Sequence, residues 1–229
     1  LQPMQDTPRT HAGVIASYVL CAIVFTWPLV LHLGSHLTGP PTGDTGVYVW
    51  NQWVFQHEVL EQRRLPYFTD RIFSLSPRIA NLSLHNYTTF QNLLALPLMG
   101  AFGVVATFNL VYLAMSVLTA YCAFLLAKRL TGTVAESWIA GVVFAWCPVL
   151  LTRGMGHFSV AAAAPLAVFM IVLLRTAERE RLRDAVLLGV TVAWAAFTDV
   201  YFAIYCLLMA IVYLGGRAIT IEAKPRLHM

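Results

Sequence analysis

Apolar runs long enough to cross a lipid bilayer recur down almost the whole chain, and nothing else in the sequence limits its fold as much. A helix needs about 20 apolar residues to traverse roughly 30 Å of hydrocarbon, and stretches of that kind open near Gly13, Val104, Ala135, Phe158 and Ala185. With 59% hydrophobic and 11% charged residues and a mean hydropathy of +0.68, the 229-residue chain departs from soluble domains, which carry roughly 25% charge. Disordered, collagen-like and small disulfide-stapled chains are excluded on the same ground. The expected fold class is all-α: a polytopic transmembrane bundle of about five or six spans, with one long external loop carrying amphipathic surface helices.

The expected organisation has five parts. Residues 1–12 form a cytoplasmic tail, 13–34 the first transmembrane helix, 35–103 the long external loop, 104–216 the remaining bundle and 217–229 a C-terminal tail. Pro28 kinks the first span, whose far end carries Trp27 and His32 at the interface. Within the loop, Val47 to Leu60 reads as a helix lying on the membrane surface, with Val47, Trp50, Val54 and Leu60 set against Gln52, Gln56 and His57. A second dipping piece runs from Thr88 to Met99. The span from Val104 to Ala127 stops at Lys128, Arg129 and Gly132, a basic helix end followed by a breaker. Further spans follow over Ala135 to Leu151 and Phe158 to Leu174. Ala185 to Leu214 reads either as one tilted helix or as two half-helices broken near Thr198 to Val200. A chain that opens on Leu1 and ends in a polar tail reads as a fragment or a processed product.

The net charge of +4 does not point to nucleic acid, because the basic residues sit in short segments beside apolar runs, as charge-directed orientation produces. Arg9, Lys128, Arg129, Arg175, Arg179, Arg181 and Arg183 fall on one side if the spans alternate, which places the N-terminus in the cytoplasm. Loop arginines 63, 64, 71 and 78 are balanced by Asp44, Glu58, Glu61 and Asp70. Cys21, Cys122, Cys147 and Cys206 lie in apolar stretches without CxxC spacing and read as packing residues. The histidines and carboxylates of the loop form no ligand run, so no metal site is expected.

Four places carry possible chemistry. The turn-rich string Gly39-Pro40-Pro41-Thr42-Gly43-Asp44-Thr45-Gly46 holds Asp44 just beyond the first span, either facing a cavity or capping the next helix. His85, Asn86 and Gln91 stand in a polar cluster interleaved with aromatic residues, a combination suited to sugars and equally to a satisfied loop network. Arg153 and His157 flank the glycines of a turn able to grip a phosphate or a lipid headgroup. Asp199 is a carboxylate inside an apolar run, which marks a functional or architectural site.

Gly43-Asp44-Thr45-Gly46 with Trp50 and Trp53, then Phe73, Pro77, His85-Asn86, Gln91 and Asn109 form an ordered series. It continues through Ala127-Lys128-Arg129-Leu130-Thr131-Gly132, Ala140-Gly141, Phe144-Ala145 and Gly156-His157. In order and spacing the series resembles the N-terminal half of bacterial polytopic membrane proteins of the GT-C glycosyltransferase type. The resemblance implies a transferase of the inner membrane that uses a polyprenyl-phosphate-linked sugar as donor, without a certain cofactor. It also implies that Asp44 acts as general base or acceptor-positioning group. His85, Asn86 and Gln91 would bind substrate, with Arg153 and His157 on the leaving phosphate. Membrane lipids and other membrane subunits are the partners this implies. Two other readings stand beside it: a non-catalytic scaffold subunit of a larger membrane complex, and a transporter that uses Asp199.

Overall fold

The computed structural model describes residues 7–40, 43–72, 79–83, 87–179 and 181–223, and the chain is all-α apart from one two-residue strand pair. Helix α1 (Pro8–Phe25) starts where Thr7 accepts a hydrogen bond from the Thr10 amide at 3.3 Å and Pro8 occupies the first turn. It ends eight residues before Leu33, earlier than the expected 13–34 span. The Thr26 hydroxyl turns back onto the Ala22 carbonyl and Pro28 cannot continue the ladder, so Leu29–His32 is a separate 3₁₀ turn.

Helix α2 (Thr45–Gln56) continues into a π-helical turn over His57–Glu61. Its buried face mixes the two sides expected from the sequence. Val47 and Leu60 are exposed, whereas Asn51, Gln52 and His57 are buried together with Tyr48, Val54 and Phe55. The reason lies in the next helix. α3 (Thr89–Thr131) is broken at Gly103, whose φ of 74° interrupts the backbone, and Gln52 Nε2 donates to the Val104 carbonyl at 3.2 Å beside that break. The two halves match the expected dipping piece and the expected span from Val104. Between α2 and α3, β1 (Phe68–Thr69) and β2 (Ala80–Asn81) pair antiparallel, Phe68 opposite Asn81. At its far end α3 stops at Gly132, in left-handed geometry with its amide on the Lys128 carbonyl, as the sequence predicts.

The next expected span is two pieces. α4 (Val134–Ala145) and α5 (Pro148–Gly154) meet at a 45° bend where Pro148 opens the second. α6 (Phe158–Ala161) and α7 (Ala164–Arg179) replace a single helix over 158–174. α8 (Leu182–Thr198) and α9 (Val200–Ala223) are separated at Asp199, the broken alternative anticipated for that stretch. Three helices, α1, α3 and α9, are long and apolar enough to cross a membrane, and the bent α4–α5 pair makes a fourth. That is three or four of the expected five or six spans among the described residues; α7 and α8 have 16 and 17 residues.

Packing against α3 organises the bundle. On one flank Tyr18 of α1 donates to the Trp138 carbonyl at 3.0 Å, while Trp138 Nε1 donates to Ser17. A Cβ on Gly141 would stand 2.6 Å from the Ala120 carbonyl oxygen, so a small residue is what lets α4 close on α3. On the other flank Phe169, Leu173, Ala195, Phe202 and Cys206 join α7, α8 and α9. Leu29, Tyr48, Phe108, Tyr112 and Phe158 fill the end beneath the external loop. The opposite end is tied by Arg129 on Glu178 at 2.6 Å, by Arg175 on buried Asp184 at 2.7 Å and by Arg217 on the Ala177 carbonyl. The four cysteines are free thiols set into these packed surfaces.

Candidate functional site

Backbone contacts fix the site before any charged group enters it. The Thr38 hydroxyl donates to the Gly154 carbonyl at 3.1 Å, and the Thr45 hydroxyl lies 3.0 Å from the Thr38 carbonyl and 3.3 Å from that of Met155. Gly39 has φ +90°, and a Cβ there would stand 1.7 Å from the Met155 carbonyl oxygen. Only glycine permits both that conformation and that approach. The segment after the first helix is thereby laid against the turn that joins α5 to α6, more than a hundred residues later in the chain.

This apposition sets Asp44 beside His157, with Oδ2 and Nδ1 3.5 Å apart. Asp44 occupies the N-cap position of α2, but its carboxylate makes no capping hydrogen bond. Its backbone has φ −75° and ψ 0° rather than the extended geometry that swings an N-cap side chain onto the following amides. The capping alternative is thus not the one adopted, and the side chain is 59% exposed. The His157 amide donates to the Arg153 carbonyl at 2.6 Å, which locks the turn that carries both side chains.

Arg153 and His157 line a cavity of 680 Å³ with Asp199, and its walls include Phe144, Leu150 and Phe202. Among the described residues no carboxylate pairs with the Arg153 guanidinium. Asp199 is 5% exposed and sits at the gap between α8 and α9; its Oδ1 accepts from the Tyr201 amide at 2.8 Å. Two places read separately in the sequence, the Arg153–His157 turn and Asp199, are therefore gathered at one hollow. Asp199 also borders a second cavity, of 320 Å³, lined by Tyr67, Ser83, Tyr87 and Thr89.

The other expected substrate ligands fare differently. His85 and Asn86 lie outside the described residues. Gln91 is fully buried in the first turns of α3 and lines neither cavity that Asp199 borders; its amide nitrogen and oxygen have no hydrogen-bond partner among the described residues. Tyr67 and Ser83 are additions from structure, brought to the second cavity by the β1–β2 pairing that a two-residue strand does not announce in sequence.

A second charged group occupies the segment between α1 and α3. Glu58, fully buried, takes both Arg64 Nε and, at 3.1 Å, Arg64 Nη2. Arg64 and Arg71 flank Asp70 at 3.5 and 3.4 Å, and Arg71 Nε donates to His57 Nε2 at 3.1 Å. That bond fixes His57 as the Nδ1–H tautomer, which donates to Glu61 at 2.7 Å. Hydrogen bonding to Glu58 holds the Arg64 guanidinium above its usual range, and burial pushes the Tyr87 phenol up, with the Glu58 charge adding to it. Among the described residues no group of three or more His, Cys, Asp or Glu side chains is placed to hold a metal ion.

An all-α chain with bilayer-length apolar helices and a polar-ended cavity between them falls in the class of helical proteins built for a membrane. Within that class it belongs to the DUF6311 family, a domain of unknown function, which it matches over residues 93–228. The matched stretch contains Arg153, His157 and Asp199, whereas Asp44 precedes it. No curated protein and no solved structure matches the chain.

Proposed function

We propose that the chain is a GT-C-like membrane glycosyltransferase, or the N-terminal module of one, acting at the outer face of a bacterial cytoplasmic membrane on a polyprenyl-phosphate-linked sugar. The carrying observation is that Asp44 stands 3.5 Å from His157, which lines an apolar-walled cavity together with Arg153, a guanidinium that meets no carboxylate among the described residues. Apolar walls suit an isoprenoid tail, and a guanidinium beside an imidazole suits a phosphate.

In the reaction the acceptor hydroxyl oxygen forms a bond to the sugar's anomeric carbon while the bond from that carbon to the phosphate oxygen breaks. The hydroxyl proton passes to the Asp44 carboxylate. The electron pair leaves with the polyprenyl phosphate, whose added charge Arg153 and His157 offset. His157, 3.5 Å from Asp44, is also placed to orient the base.

Asp44→Asn is nearly isosteric and removes no capping bond, so melting of the purified protein should be unchanged. Transfer from a polyprenyl-phosphate hexose in proteoliposomes should fall by about 10²–10⁴-fold, the range for loss of a general base. Wild-type rates in this variant would eliminate Asp44 as the base. A non-catalytic subunit is the second reading, supported by α9, of whose 18-residue apolar window only 11% is buried, leaving a helix face for a neighbouring chain.

A further inference from the structure

Asp199 carries two different oxygens. Oδ1 is committed to the Tyr201 amide and so serves as the cap of α9. Oδ2 has no hydrogen-bond partner among the described residues although the residue is 5% exposed. A buried carboxylate oxygen without a donor is unfavourable, and native structures supply one. Asp199 faces two cavities: one with the Arg153 guanidinium and the His157 imidazole, and one lined by the alcohol and phenol groups of Ser83, Thr89, Tyr67 and Tyr87. A second cation at Oδ2 would share its cavity with Arg153. A hydroxyl donates without adding charge, and a carboxylate binds it through a charge-assisted bond.

We propose that Asp199 is a headgroup-positioning residue, whose Oδ2 accepts one hydroxyl of a lipid-borne phosphodiester while its phosphate lies against Arg153 and His157. The identity of the lipid as a sugar donor rests on the preceding functional reading; the recognition of a hydroxylated phosphodiester does not. A glycerol headgroup and a sugar headgroup offer the same chemistry.

The test uses two lipid pairs matched in charge: phosphatidylglycerol against phosphatidylethanol, and a polyprenyl-phosphate hexose against polyprenyl ethyl phosphate. Native mass spectrometry of the detergent-solubilised full chain reads the affinity ratio within each pair. Wild type should favour the hydroxylated member of at least one pair by roughly ten- to a hundredfold, the worth of a hydrogen bond to a charged group. Asp199→Asn and Asp199→Ser both retain an N-cap oxygen, so α9 stays capped, and each should bring that ratio down to within about threefold. Arg153→Gln should weaken both members of a pair and leave the ratio intact.

A wild-type ratio near one in both pairs overturns the inference, with no variant needed. Retention of the ratio in both Asp199 variants overturns it as well. A ratio confined to the glycerol pair upholds the role of Asp199 and removes the donor from the transferase reading. A ratio in the polyprenyl pair upholds both. Transfer by Asp44→Asn would count against the base and leave the ratio untouched, so the two ideas fail separately.

Discussion

Two groups of charged side chains in this molecule are built on opposite plans. Around α2 and its π-turn, Glu58, Arg64, Asp70, Arg71, His57 and Glu61 form a chain in which each member meets another. Around the cavity, Arg153 lacks a carboxylate among the described residues, Asp199 keeps one oxygen unused, and Asp44 approaches His157 only to 3.5 Å. A closed network holds shape. An open one has valences left for something that arrives, and at the buried Asp199 oxygen such a valence is strong.

The largest expected effect should come from opening the closed group. Arg64→Met leaves the fully buried Glu58 carboxylate without its two-pronged partner and should lower stability by about 3 kcal/mol, the range for a broken buried pair. Thermal melting in detergent reads it. A change as small as that of an ordinary surface substitution would erase the contrast between the groups.

Next comes the scaffold of the open group. Gly39→Ala imposes an L-residue at φ +90° and drives a Cβ into the Met155 carbonyl, which should cost about 2 kcal/mol. It should also part Asp44 from His157, so that substrate turnover drops further than stability alone accounts for. A smaller effect belongs to the α8–α9 gap. Asp199→Ala loses the cap on the Tyr201 amide and should cost about 1 kcal/mol, whereas Asp199→Asn should restore most of it.

The smallest concerns the far end of the bundle. The Arg129 hydrogen bond holds the Glu178 carboxyl below its ordinary value of 4.5. A depressed carboxyl contributes stability above the unfolded value and loses it as pH falls through the folded one. Melting should therefore be insensitive to this pair at neutral pH and weaken slightly below about pH 4.5. Arg129→Gln should flatten that dependence.

Much of this layout is legible from sequence where a residue type forces the backbone. Gly132 after a basic turn ends α3, and the carboxylate in an apolar run marks the break at Asp199, whereas the bend before Pro148 lies unannounced within a span expected over Ala135 to Leu151. The boundary at Val104 is readable from hydrophobicity, although the glycine that makes it is only one of several in the region. Side-chain direction is another matter. Gln52 and Gln91 look like surface amides in the sequence, yet both are buried, Gln52 against the backbone break at Gly103 that only three-dimensional packing explains. Glu58 and Arg64 are six apart, a spacing no regular helix brings together, so a π-turn had to be seen first. The helix lengths of α7 and α8 likewise follow from breaks at Ala162–Ala163 and at Asp199, not from the apolar count.

The apposition of Gly39 to Met155 is made by main chain, and this has an evolutionary corollary. Side chains at 155 can change freely without altering the spacing of the two segments, because what is touched there is a carbonyl that every residue possesses. Position 39 has no such latitude. A saturation scan of both sites should consequently give a broad spectrum of tolerated replacements at one and a single survivor at the other, a mutational signature by which the joint can be recognised in any chain built on the same plan.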